Sequence, residues 1–166
     1  GLPRVLGGVA QERRGGRGAI PTTCAEGGGC LRTRPDRASP DIQRHFGMSF
    51  VDNHGRTRHR ATGFSCHVCL LRPKSRGSVT LGSADPLAAP LIDPNFLGEE
   101  ADLEAMVAGY KTTQRLMQTQ ALRASQTKEM FTSDVKTDHD IRNILRARAD
   151  PPYHPPRTCK TGTAAL

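Results

Sequence analysis

Apolar residues recur three and four positions apart at Leu103, Met106, Val107, Tyr110 and Met117, just after Glu99, Glu100 and Asp102. That spacing draws one stripe along a helix, and the acids stand at the positive end of its dipole. A second helix is announced by Thr137 with Asp140 three residues later, a variant of the capping box. It turns Ile141, Ile144 and Leu145 inward and is stopped by Pro151-Pro152. Leu2, Val5, Leu6 and Val9 carry the same period before it dissolves into Arg13-Arg14-Gly15-Gly16-Arg17-Gly18, the end of a helix followed by a loop.

Between these segments the period shortens to two. Ile42, Phe46, Met48 and Phe50 fall on one parity and Gln43, His45 and Ser49 on the other, the alternation of a half-buried strand. A strand is also expected within Thr22–Thr33, with a bulge or close backbone approach where Gly27-Gly28-Gly29 interrupts it. Val51 to Gly63 is polar loop, and Phe64 to Arg72 is apolar enough for a central strand. Pro73-Lys74-Ser75-Arg76-Gly77 then supplies turn residues, so residues 64–72 and 78–81 are expected to pair as a hairpin. Pro86, Pro90 and Pro94 keep the following stretch extended. The sum is an α+β fold, an antiparallel sheet flanked by helices.

Composition narrows the function. Seventeen Gly, twelve Pro and no Trp in 166 residues speak against a helical bundle and fit one irregular domain. The formal charge of +8 would suit an acidic partner, but the basic residues are scattered and not interleaved with aromatics, which argues for a solvated surface and no nucleic acid. No apolar run approaches a membrane span, and five widely spaced cysteines fit a reducing compartment, so a soluble, cytoplasmic chain is expected. The first residue, Gly1, points to a processed or partial sequence.

Candidate chemistry is sparse. Gly27-Gly28-Gly29 is not a dinucleotide fingerprint, because no G-x-G-x-x-G turn opens a helix there. Cys66 and Cys69 have zinc-ligand spacing with His67 between them, but no second pair follows and strand alternation parts them, so no metal is expected. His54 and His59, set in a polar loop, read as solvated. Read alone, His154 in Tyr153-His154-Pro155 is a helix-exit histidine that packs or faces solvent.

Several stretches together change that reading. Ala25-Glu26-Gly27-Gly28-Gly29, Pro40-Asp41-Ile42-Gln43-Arg44-His45-Phe46, Cys66-His67-Val68-Cys69 with Arg72-Pro73-Lys74-Ser75-Arg76-Gly77-Ser78-Val79, Ser83-Ala84-Asp85-Pro86, Ile92-Asp93-Pro94-Asn95-Phe96-Leu97 and Tyr153-His154-Pro155 follow one another in order. This succession resembles the glucose-methanol-choline family of flavoprotein oxidoreductases, in particular its choline-dehydrogenase-like alcohol dehydrogenases. The resemblance implies a substrate-binding domain over residues 19–166, preceded by a helix tail and basic loop at 1–18. The domain would lack the FAD-binding domain it packs against and its extreme C-terminal segment, where the family places a second His or Asn.

It further implies a sheet that roofs FAD and forms the pocket for a primary alcohol, with His154 taking the hydroxyl proton while FAD accepts a hydride. Glu26 becomes a candidate lining residue, and a carboxylate there would suit a cationic alcohol such as choline. No cofactor-binding residue can be assigned. Where the family has Gly and Met, this sequence holds Arg157 and Thr161, which fits a decayed or truncated copy that is inactive alone. The alternative expectation is a non-catalytic basic binding module.

Overall fold

The structure is a computed structural model that describes residues 9, 10, 12–16, 25–50, 52, 53, 56, 57, 59 and 63–151. Three strands, β1 (Ala25–Leu31), β2 (Ile42–Gly47) and β3 (Ser65–Leu70), form an antiparallel sheet in the order β1-β2-β3. A separate two-stranded ribbon pairs β4 (Ser78–Thr80) with β5 (Leu91–Asp93). Helices α1 (Glu100–Met117), α2 (Gln120–Arg123) and α3 (Asp138–Arg148) complete the fold. The expected α+β class therefore holds, but one expected pairing does not. The 64–72 strand pairs with β2, and Ser78–Thr80 pairs with Leu91–Asp93, so the turn at Pro73–Gly77 links two sheets and closes no hairpin.

The register explains which face is buried. Ile42, Arg44 and Phe46 stand beside Leu70, Val68 and Cys66 in β3 and Leu31, Gly29 and Gly27 in β1, with a bulge between Ala25 and Gly27. This face lies under α1. Ile42 is buried, and a side chain at Gly109 would meet Val68 at 3.0 Å and Ile42 at 3.3 Å, so the missing side chain sets how closely helix and sheet approach. Arg44 reaches up from the sheet and donates to the Thr112 carbonyl at 3.3 Å.

On the opposite side of α1, Leu103 and Val107 pack with Ile141 and Leu145 of α3, joined by Leu97, Met106, Tyr110 and Val135. Leu97 holds a left-handed backbone (φ 57°) while packed against this core. Burying the apolar stripe read from the sequence is what fixes both helices. The capping box is present as expected: Thr137 accepts from Asp140 N–H, whose carboxylate accepts in return from the Thr137 backbone. Arg142 bridges Glu100 and Glu104, and Lys111 pairs with Asp138 at 2.6 Å. At the amino end, residues 9, 10 and 12–15 are helical, so Arg13, Arg14 and Gly15 are helical where a loop was expected; the rest of the helix expected from Leu2 lies outside the described residues.

Candidate functional site

The sheet face turned away from α1 carries an ordered polar set. The register places Cys30 beside Gln43 and Gln43 beside Cys69, and one pleat further Gly28 beside His45 and His45 beside His67, with Ser65 at the end of β3. Neighbours interact across and along the strands. Ser65 Oγ donates to the Ser49 carbonyl at 2.8 Å and lies 3.0 Å from His67 Nε2, while His45 Nε2 lies 3.9 Å from Cys69 Sγ. Cys66, the residue after Ser65, points the other way, under the helix, as strand alternation requires.

The described side chains on this face include no Asp, Glu, Lys or Arg. His67 presents its ring to solvent, yet the protein packed around it, and then the His45 ring, lower its proton affinity below that of ordinary imidazole. Burial pushes the Cys69 thiol up, a backbone hydrogen bond from Gln43 partly opposing it, and burial likewise raises Cys66. Hydrogen-bonding groups set on a sheet can orient a small polar molecule. Among the described residues no three His, Cys, Asp or Glu side chains converge to hold a metal ion.

The two residues singled out from the sequence are not brought into view. His154 lies outside the described residues. Glu26 is in β1, beside the bulge, and its side chain is outside them. His54 also lies outside them, but His59 corrects the expectation of a solvated side chain. Its Nε2 meets Asp52 at 2.9 Å, its ring stacks edge-on with Phe50 and Phe131, and Arg148 both covers Phe131 and binds Asp52 at 2.6 Å. His59 is thus part of a latch between the 50–59 segment and α3. His45 was read only as part of the polar parity of its own strand, and Ser65 and His67 as part of an apolar strand; their alignment across strands needs the register.

A second feature lies at the start of α1. The buried Asp102 carboxylate accepts from Lys74 N–H at 2.9 Å, Ser75 N–H at 2.7 Å and the Ser75 hydroxyl at 2.6 Å, and Ser75 Oγ in turn accepts from Glu99 N–H at 3.1 Å. Burial alone would raise this carboxyl, but the Lys74 and Ser75 hydrogen bonds outweigh it and hold it below its usual range. A groove of about 210 Å³ beside it is lined by Arg37, Arg72, Lys74, Asp41 and Asp102. Both carboxylates are spent on internal bonds, Asp41 on the Thr33 hydroxyl at 2.5 Å and amide at 2.7 Å, so the groove reads as structural.

A family model described as GMC oxidoreductase matches residues 73–166. An alcohol dehydrogenase (acceptor) of Pseudomonas putida is 35% identical over 162 residues, which is 97% of this chain and 29% of that protein. The mitochondrial choline dehydrogenase of Homo sapiens is 38% identical over 148 residues, 89% of this chain and 25% of that protein. Among solved structures, pyridoxine 4-oxidase from Mesorbium loti superposes with a TM-score of 0.67 at 16% identity, covering 77% of this chain and 26% of that one. A formate oxidase of Aspergillus oryzae RIB40, solved to study FAD modification, gives 0.66 at 20% identity, covering 88% and 30%. At these identities the structures show the fold. The chain spans between 25% and 29% of the length of the two curated relatives.

Proposed function

The chain belongs to the GMC oxidoreductase family, and from that premise we propose that it supplies the substrate-binding part, residues 19–166, of an FAD-dependent oxidoreductase acting on the CH–OH group of an alcohol. One observation carries the reading: the described side chains on the open face of the β1-β2-β3 sheet include no Asp, Glu, Lys or Arg. The chain has 24 Lys and Arg and 16 Asp and Glu, yet Cys30, Gln43, His45, Ser65, His67 and Cys69 are the described side chains on that face. A merely solvated sheet face in so charged a protein would carry its share of Lys and Glu.

The face also fits a planar cofactor. On this face β1 carries Gly28 beside His45, so a flat ring can lie close to backbone there. When bound, FAD supplies the hydride acceptor that no side chain can provide. His45, His67 and Ser65 offer hydrogen bonds that hold the alcohol oxygen in one orientation. His154 is the base that collects the hydroxyl proton, and Glu26 lines the pocket. The free thiols Cys30, Cys66 and Cys69 suit a reducing, cytoplasmic setting, and no described helix is long and apolar enough to cross a membrane.

The test joins this chain to the flavin-binding part of the Pseudomonas putida relative and follows the flavin absorbance under anaerobic conditions. Choline or a simple primary alcohol should bleach the flavin, and His154→Ala should slow bleaching by roughly 10²–10⁴-fold. The isolated chain should retain no flavin. Bleaching that is indifferent to His154, or a yellow isolated chain, would sink the assignment.

A further inference from the structure

The β4-β5 ribbon stands apart from the rest of the protein. Its strands pack on each other and on no other strand or helix among the described residues. A two-stranded ribbon is marginal by itself in water. Yet one of its faces is apolar: Val79 (53% exposed) stands across from Ile92 (67%), while Leu91 (61%) lies on the other face with Ser78, Thr80 and Asp93, and Leu81 (86%) and Leu87 (92%) are exposed beside the strands. Its base, in contrast, is firmly placed. Asp102 clamps Lys74 and Ser75, Asn95 Nδ2 donates to the Arg76 carbonyl at 3.0 Å, and a side chain at Gly77 would collide with the Asp93 carbonyl at 2.2 Å. A rigid root under an uncovered apolar tip describes an element held ready for a protein surface.

Resting on the functional reading above, we propose that the ribbon of residues 78–93 is the seat of the flavin-binding domain, docked on it through Val79 and Ile92. The relatives supply the occupant. The human choline dehydrogenase matched here has only 25% of its length in the shared region, so about three quarters of that protein is available to cover the ribbon. The division of labour is chemical: the polar sheet face suits a small alcohol, and the apolar ribbon suits a protein core.

The experiment compares one pair of substitutions in two settings, the 166-residue chain alone and the same chain joined to the flavin-binding part of the Pseudomonas putida relative. Ile92→Asp, with Leu81→Ser as a milder partner, should leave the thermal midpoint of the isolated chain unchanged. In the joined protein Ile92→Asp should lower the midpoint by roughly 5 °C, because a carboxylate is then driven into an apolar groove. Amides of 78–80 and 91–93 should exchange freely in the isolated chain and be protected in the joined one. Equal effects in both settings, or unprotected ribbon amides in a joined protein that holds flavin, overturn the proposal while leaving the functional reading intact. Protected amides in a joined protein that no alcohol reduces would uphold the seat and sink the enzyme assignment. An isolated chain that sediments as a dimer and is made monomeric by Ile92→Asp assigns the ribbon to a second copy and overturns the proposal.

Discussion

Removing the Asp102 carboxylate should be among the most damaging single changes in the described part of the protein. In Asp102→Ala, the Lys74 amide, the Ser75 amide and the Ser75 hydroxyl all lose their acceptor. A hydrogen bond to a charged group contributes about 1.5–3 kcal/mol, and the Lys74 and Ser75 donors, near the surface, recover part of this from water. The net loss is therefore about 2–4 kcal/mol, and for a chain of this size that lowers the thermal midpoint by roughly 4–16 °C. Circular dichroism melts at neutral pH measure it directly. A variant melting within about 2 °C of the parent would refute the claim that this carboxylate holds the 73–77 loop to α1.

The same group predicts a pH dependence. Burial would raise Asp102, but its hydrogen bonds to Lys74 and Ser75 win and keep the folded carboxyl below its ordinary 3.8. The unfolded chain then binds the proton more readily than the folded one, so the stabilisation is fully present above pH 3.8 and is lost as pH falls through the lower, folded value. Asp102→Asn keeps the shape and one acceptor oxygen but turns an amide toward N–H donors. It should lower stability at neutral pH and remove this acid-sensitive component. Parallel stability-versus-pH curves for parent and variant would contradict the assignment.

Gly109→Leu should cost about 1–3 kcal/mol, since even a Cβ there meets Val68 at 3.0 Å; an unchanged urea midpoint would show a looser seat for α1 than the packing implies. Thr137→Ala should cost about 1 kcal/mol by opening the capping box, read as faster amide exchange in the first turn of α3, and unaltered exchange there would remove the cap from the account. The environment of His67, first its burial and then His45, keeps its folded pKa below the ordinary 6.5, so stability should decline as pH falls through 6.5. His67→Gln should flatten that decline, and a variant with the parental slope would assign it to another group.

The helices were legible because their signals are local. Leu103, Val107, Ile141 and Leu145 form the buried core that their spacing announces, and Thr137 and Asp140 cap as read. The strands were legible as segments but not as partners. Pro73–Gly77 has the composition of a hairpin turn, yet Asp102, 27 residues beyond Ser75, captures this loop and carries the chain off to a second sheet. Nothing within a few residues of the turn announces that carboxylate. The polar face was hidden for a related reason: His45 and His67 are 22 positions apart, and only the register sets them side by side. β5, three residues between Pro90 and Pro94, is too short to show an alternation.

These long-range features converge on α1. One of its sides sets the height of the sheet through Gly109, another carries the core shared with α3 through Leu103 and Val107, and its first turn holds the root of the ribbon through Asp102. The polar face and the apolar ribbon are therefore positioned by a single rigid body, although they touch neither each other nor a common strand. If the ribbon is the part gripped by the flavin-binding domain, the grip is transmitted through the 73–77 loop and α1 to the sheet. Ser65, His67 and His45 would then be set against the alcohol by contacts made some way off. On that logic a weakened Asp102 clamp disturbs both substrate positioning and domain docking, whereas a substitution at Ile92 disturbs docking first.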